Sequence, residues 1–203
     1  NTDEKVTYYR SLIIAGPSKK GQELAAKVNN GEELTLEDIQ SATWGVSSNT
    51  TSPAGYIYPS LWLQENFGIS ITDLKSKVAL DNYATSLSQL ASGQIDVMVT
   101  YADARLDYVD QWNSNFGRTA SIWDETNVIG VTDGIYNDTI SVTKDASMTS
   151  ELKEAIQQAF INIGNTEEGQ KIISIYSHKG YEIGNSSDYD AEREAQKLIK
   201  SMQ

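Results

Sequence analysis

Residues 47–55 read Ser47-Ser48-Asn49-Thr50-Thr51-Ser52-Pro53-Ala54-Gly55, and five of the first six carry a hydroxyl. The segment follows the apolar run 43–46 and leads into a helical stretch, 56–67, that Gly68 closes. A strand that ends in hydroxyls and opens a helix can hold an anion. The first helical turn presents unpaired N–H groups and the positive end of the helix dipole. Hydroxyl donors rotate to match a tetrahedral oxyanion. The same residue types are preferred helix caps, and a cap needs only one of them. Both readings are open at this point. The loop holds no Lys or Arg and lacks the Gly-Lys-Ser/Thr ending of a Walker loop. An anion here would be held by hydrogen bonds alone.

Other chemistries are narrowed by composition. The chain has 203 residues and no Cys, so disulfides, thiolate metal sites and thiol nucleophiles are excluded. His178 is its only histidine, which argues against a His-dependent triad or a multi-His metal site. We expect His178 to serve packing or surface. Asp plus Glu is 28 against 16 Lys plus Arg, a formal charge of −12. No basic cluster exceeds Lys19-Lys20, which argues against nucleic acid and against polybasic attachment to an anionic membrane. No apolar run approaches the ~20 residues of a spanning helix. The opening residues 1–5 are polar and do not read as a signal segment. Eleven Tyr and four Trp stand against three Phe, a balance that suits a recognition surface as well as a core.

The elements that would position the loop alternate. Short apolar runs at 11–15, 43–46, 78–80, 95–101, 120–123 and 139–142 read as strands. Helical patterns fall at 22–29, 34–41, 56–67, 84–91, 102–113, 149–163, 166–177 and 187–202. Thr35 reads as a cap with Asp38 at the third position. This alternation predicts an α/β domain with a largely parallel sheet. In such sheets ligands bind beyond the carboxyl ends of the strands, which points to loops 47–55, 81–84 and 101–104.

Four segments together resemble one family. These are Tyr9-Arg10-Ser11-Leu12-Ile13-Ile14; Asn49-Thr50-Thr51-Ser52 with Gly55-Tyr56-Ile57-Tyr58-Pro59; residues 90–99 with Gly93, Ile95 and Asp96; and Ile135-Tyr136-Asn137-Asp138-Thr139. In order and spacing they are similar to the phosphate/phosphite/phosphonate substrate-binding proteins of ABC importers, from about residue 8 to the C-terminus. The resemblance implies a type II periplasmic-binding-protein fold, two α/β lobes with a ligand cleft, and a mostly parallel mixed sheet. It implies oxyanion contacts at Thr50, Thr51 and Ser52 and a lobe-crossing tyrosine at Tyr9. Asp103 and Asp138 fall where some members hold an aminoalkyl group, and two carboxylates could neutralise an ammonium. Tyr83 stands where the family often has His. Pro53-Ala54 looks like an insertion before Gly55.

On that resemblance, residues 10–132 form a complete second lobe, and 133–203 form the hinge return and the C-terminal strand and helices of the first. Only eight residues precede Tyr9, where the family places most of its first lobe. The apolar faces at Leu152, Ile156 and Phe160 would then lack a full sheet. The expectation is a truncated or proteolysed form, or self-association through the incomplete lobe. The implied function is an extracytoplasmic solute-binding protein, periplasmic or a cell-surface lipoprotein. It would capture phosphonate, phosphate or phosphite, deliver it to an ABC permease, and need no cofactor or metal. One alternative is the sensing domain of a receptor. A second, weaker one is a phosphate-ester hydrolase using Asp96, Asp103 or Asp138.

Overall fold

The computed structural model describes residues 6–176 and 178–201. By its internal contacts the chain forms two compact units. The larger comprises Tyr8–Ile135 and Glu192–Gln203, the smaller Asn1–Thr7 and Tyr136–Ala191.

The larger unit is built on a five-stranded sheet. Its first strand, β1 (Tyr8–Ala15), is buried from Ser11 onward, its apolar end 12–15 lying between two helical layers. Helix α1 (Lys19–Asn29) starts at Ser18, whose hydroxyl accepts the Gly21 N–H at 3.0 Å. Helix α2 (Leu36–Ser41) carries the expected Thr35/Asp38 capping box. Strand β2 (Trp44–Ser47) follows, with Trp44 fully buried and its indole N–H donating to the Ile39 carbonyl at 2.9 Å. Residues Pro53–Ile57 form a wide π-type turn that passes directly into α3 (Tyr58–Phe67), closed by Gly68 at φ +69°. A short 3-10 turn, Ile71–Asp73, precedes β3 (Lys77–Leu80), α4 (Tyr83–Ser92) and β4 (Val97–Tyr101). Then come α5 (Arg105–Ser114), α6 (Ile122–Glu125) and β5 (Asn127–Tyr136).

The strand order is β3-β2-β4-β1-β5. β2 runs parallel to both β3 and β4, whereas β1 is antiparallel to β4. The sheet is therefore mixed. One apolar layer, with Ile13, Trp44, Val46, Tyr56, Leu63 and Val99, covers one face; another, with Ile14, Leu87, Leu90, Met98 and Trp112, covers the other.

Two strand expectations are corrected. The run 120–123 is not a strand; Ser121 caps helix α6 there, accepting the Asp124 N–H. Residues 139–142 form no strand among the described residues, being exposed or half-exposed with no ladder partner. The strand is β5 instead, whose Gly130 and Gly134 interrupt the apolar pattern. Those glycines pack under Trp62 and Tyr8, so the missing side chains are replaced by neighbouring rings.

In the smaller unit, α7 (Ser150–Gly164) is capped by Thr149 and α8 (Glu167–Ile173) by Thr166. Only Gly164, Gly169 and Ile173 are buried among its described residues. Leu152 is exposed; Ile156 and Phe160 are half-buried. Helix α9 (Asp190–Ser201) brings Ala195 into the core of the larger unit. The sequence groups this helix with 133–203; by contacts its residues 192–201 belong with the larger unit, where Ala195 is buried.

Candidate functional site

The loops after β2, β3 and β4 lie at one end of the sheet, because these three adjacent strands are parallel. β1 runs the other way, and Ser11 pairs with Tyr101, so Tyr9 also lies toward that end. The sheet rule thus gathers loops 47–55, 81–84 and 101–104 as the sequence expectation required.

Within loop 47–55 most hydroxyls have local work. The Ser52 Oγ caps the π-type turn by accepting the Gly55 N–H at 3.2 Å. The Ser52 carbonyl accepts from both Tyr56 and Ile57, each at 3.0 Å, which widens the turn. Thr51 donates its N–H and its hydroxyl to the Asn49 Oδ1, at 3.0 and 2.7 Å. Ser48 donates to Asp81 at 2.7 Å and takes its N–H to the Leu80 carbonyl. Ser11 holds the turn over the strand ends; its Oγ lies 2.7 Å from the Ala54 carbonyl and 3.0 Å from that of Thr100.

What remains for a ligand is specific. Thr50 is exposed, and neither its N–H nor its hydroxyl has a partner among the described residues. The two donors of Thr51 identify the oxygen end of the Asn49 carboxamide, so the NH₂ end of Asn49 is left free to donate. Asn49 was not singled out in the sequence as a binding residue. Its signal was there in an Asn two residues before a Thr, the spacing of an Asx turn.

Gly55 packs against this arrangement. A Cβ there would lie 2.7 Å from the Ser47 Cβ, 2.9 Å from the Ser52 Oγ and 3.3 Å from the Tyr83 phenol oxygen. Tyr83, the first residue of α4, is half-buried, its phenol oxygen and the Ser52 Oγ both lying close to Gly55. Burial pushes its pKa up, and the Ser52 contact opposes this. Its ring meets the edge of Tyr101 at 5.0 Å. The Tyr101 phenol donates to Asp107 at 2.6 Å and is raised in pKa by burial and by that carboxylate. Both phenols stay neutral; the Tyr101 proton is committed to Asp107, so Tyr83 is the phenol left to donate.

Asp103 is otherwise engaged. Arg105 donates its Nε to both carboxylate oxygens, at 3.0 and 3.2 Å, and its Nη2 to one at 2.6 Å. The Arg105 N–H adds a fourth contact at 3.1 Å. The guanidinium is buried over the Trp123 ring, 4.7 Å from its centroid. Asp103 is thus neutralised within its own loop. Asp138 lies in the smaller unit, exposed, next to Asn137, which bonds Thr7 and Val6 and accepts from Tyr189. Asp96 ties elements together, accepting from the Ser18 hydroxyl at 2.5 Å and the Thr43 N–H at 2.8 Å. Tyr9 is half-buried beside the Tyr58 phenol, which burial and Glu192 push up to about 12. Ser52 and Tyr83 are brought together, with Thr50 and Thr51 on the same loop. Among the described residues Asp103 is joined to Arg105 and not to this group. His178 packs between the rings of Tyr176 and Tyr181. Among the described residues, no three His, Cys, Asp or Glu side chains gather as a metal cluster, and no helix is long and apolar enough to cross a membrane.

The sequence pattern of one family, described as the ABC transporter, phosphonate, periplasmic substrate-binding protein, matches residues 2–189. The chain belongs to this family. Its members are periplasmic substrate-binding proteins of ABC transport. Among solved structures, the binding-protein component of an ABC phosphonate transporter from Pseudomonas aeruginosa matches at TM-score 0.60 and 15% identity, over 96% of this chain and 59% of that one. A Xanthomonas citri protein bound to ATP matches at TM-score 0.62 and 10% identity, over 95% of this chain and 65% of that one. PhnD1 from Prochlorococcus marinus in complex with methylphosphonate matches at TM-score 0.60 and 11% identity, over 96% and 68%. The chain therefore spans less than two thirds of the length of the first two. At these identities the likeness shows the fold, a mixed five-stranded α/β sheet of the type II periplasmic-binding-protein kind. No curated protein matches the chain.

Proposed function

We propose that this chain captures phosphonate or a related oxyanion, phosphate or phosphite, outside the cytoplasm and serves an ABC importer. The reading rests on membership of the phosphonate-binding family together with one observation. Thr50 and Asn49 offer unpartnered donors at the parallel strand ends. Thr50 would give its N–H and hydroxyl, Asn49 its NH₂ group, and Tyr83 a neutral phenol. Thr51 and Ser52 shape the loop and lend their remaining hydrogen-bonding capacity. Tyr9 would close the same end of the sheet from β1. The net charge of −12 does not oppose this, because local N–H and hydroxyl dipoles set the field at such a site.

Asp103 would read an ammonium only weakly in this arrangement, since Arg105 already neutralises it. The test is a thermal-shift titration of the whole chain with phosphate, phosphite, methylphosphonate and 2-aminoethylphosphonate. A ligand of the folded state raises the midpoint. At least one phosphonate should do so; no shift with any of the four overturns the reading.

A further inference from the structure

A recess of about 300 Å³ opens along the outer edge of the sheet, beside the hydroxyl loop. Its walls are Val46, Tyr56, Ile71 and Ala79; Thr50 and two serines stand at one end, and Lys77 also lines it. The register explains this arrangement. Trp44 pairs with Lys77, Val46 with Ala79 and Ser47 with Leu80. Lys77 and Ala79 are two apart, so they share one face of β3. Lys77 lies three residues before the Leu80 carbonyl that receives the Ser48 N–H, about 10 Å along the strand.

The Lys77 ammonium donates to the Thr72 and Leu74 carbonyls at 2.9 and 3.3 Å. An ammonium has three donors, so one remains. Asp73, the acid whose charge Lys77 reaches, is already bonded to the Ser70 N–H and hydroxyl, each at 2.8 Å. The recess thus has donors at one end, an apolar middle and a cation available at the other. That order of chemistry fits an oxyanion with a short carbon tail that ends in a second anionic group.

We propose that the recess is a tail subsite and that the ligand it takes is an ω-carboxyalkyl phosphonate, its carboxylate meeting Lys77. This rests on the oxyanion reading above. The size agrees, since the volume lies at the lower end of small-molecule sites. The occupant is opposite in charge at its tail to the aminoalkyl group that the sequence resemblance implies.

Calorimetric titration of the whole chain with methylphosphonate and 4-phosphonobutyrate tests it. The expected result is about tenfold tighter binding of 4-phosphonobutyrate, the worth of one charge-assisted contact. Lys77→Met should remove that preference and leave methylphosphonate within about twofold, and Lys77→Arg should keep most of it. Ala79→Phe should fill the recess and weaken 4-phosphonobutyrate alone. If methylphosphonate binds and 4-phosphonobutyrate gains nothing, or if its gain survives Lys77→Met, the tail subsite is overturned while the oxyanion reading stands. If neither ligand binds, the tail subsite falls, and the oxyanion reading is decided by the four-ligand thermal-shift titration.

Discussion

At the scale of single residues, function in this loop is decided by which donors are left over. Thr50, Thr51 and Ser52 look alike in sequence as oxyanion contacts, yet the hydroxyls of Thr51 and Ser52 are engaged in an Asx turn and a cap. Thr50 and the Asn49 amide are the groups with donors to spare. Thr50→Val should therefore weaken methylphosphonate by about tenfold, on the order of one lost hydrogen bond to a charged group, with the melting midpoint nearly unchanged. Titration calorimetry with differential scanning reads both. Asp103→Asn should weaken methylphosphonate and 2-aminoethylphosphonate alike, and a selective loss for the aminoethyl ligand would restore the ammonium reading. Asp38 supplies the clearest acid sensitivity. Burial opposes its ionisation, but Lys27 at 2.8 Å and the Thr35 N–H and hydroxyl outweigh this and hold its pKa at about 2. A depressed folded pKa means that the stabilisation is complete above the unfolded value and is lost as pH falls through the folded one. Urea midpoints should fall between about pH 4 and pH 2. Asp38→Asn should cost about 2 kcal/mol at neutral pH and flatten that limb.

At the scale of elements, the strand-turn-helix at 44–67 carries the proposed site. The turn is wide because Ser52 accepts from both Tyr56 and Ile57, and Ser11 pins its Ala54 carbonyl over the strand ends. Gly55 lets the turn lie against β2, where a Cβ would approach Ser47 to 2.7 Å. Gly55→Ala should destabilise the fold by about 1–3 kcal/mol through overpacking and should weaken oxyanion binding by displacing Thr50. Denaturant melts and calorimetry on the same sample check the two effects. The existence of this strand, loop and helix was readable from Val46, the hydroxyl run and Gly68. The π-type geometry was not, because Pro53-Ala54 reads in sequence only as an extra pair of residues. The Thr35/Asp38 capping box was readable because it is local in the chain. β5 was not, since its glycines are filled from outside by Trp62 and Tyr8.

At the scale of the molecule, the two compact units differ in how much apolar surface they bury. The larger has two packed layers about its sheet, whereas the described part of the smaller buries only Gly164, Gly169 and Ile173. Opening free energies follow buried contacts. Hydrogen exchange read by mass spectrometry should show amides of β1, β2 and β4 protected far longer than those of α7 and α8. Equal protection would mean that Leu152, Ile172 and Ile175, all exposed here, are covered in solution.

The sequence alone determined the class of fold, the family resemblance and the hydroxyl-rich segment proposed for oxyanion binding. These depend on alternation, caps and motifs, which act over short distances along the chain. Tertiary structure decided which donors are free, because Arg105, Asn49 and Gly55 acquire their partners only through turns and close packing. It also decided that Lys77 belongs beside Thr50. Twenty-six residues separate them in the chain, and only the parallel register of β2 with β3 sets them on the same recess.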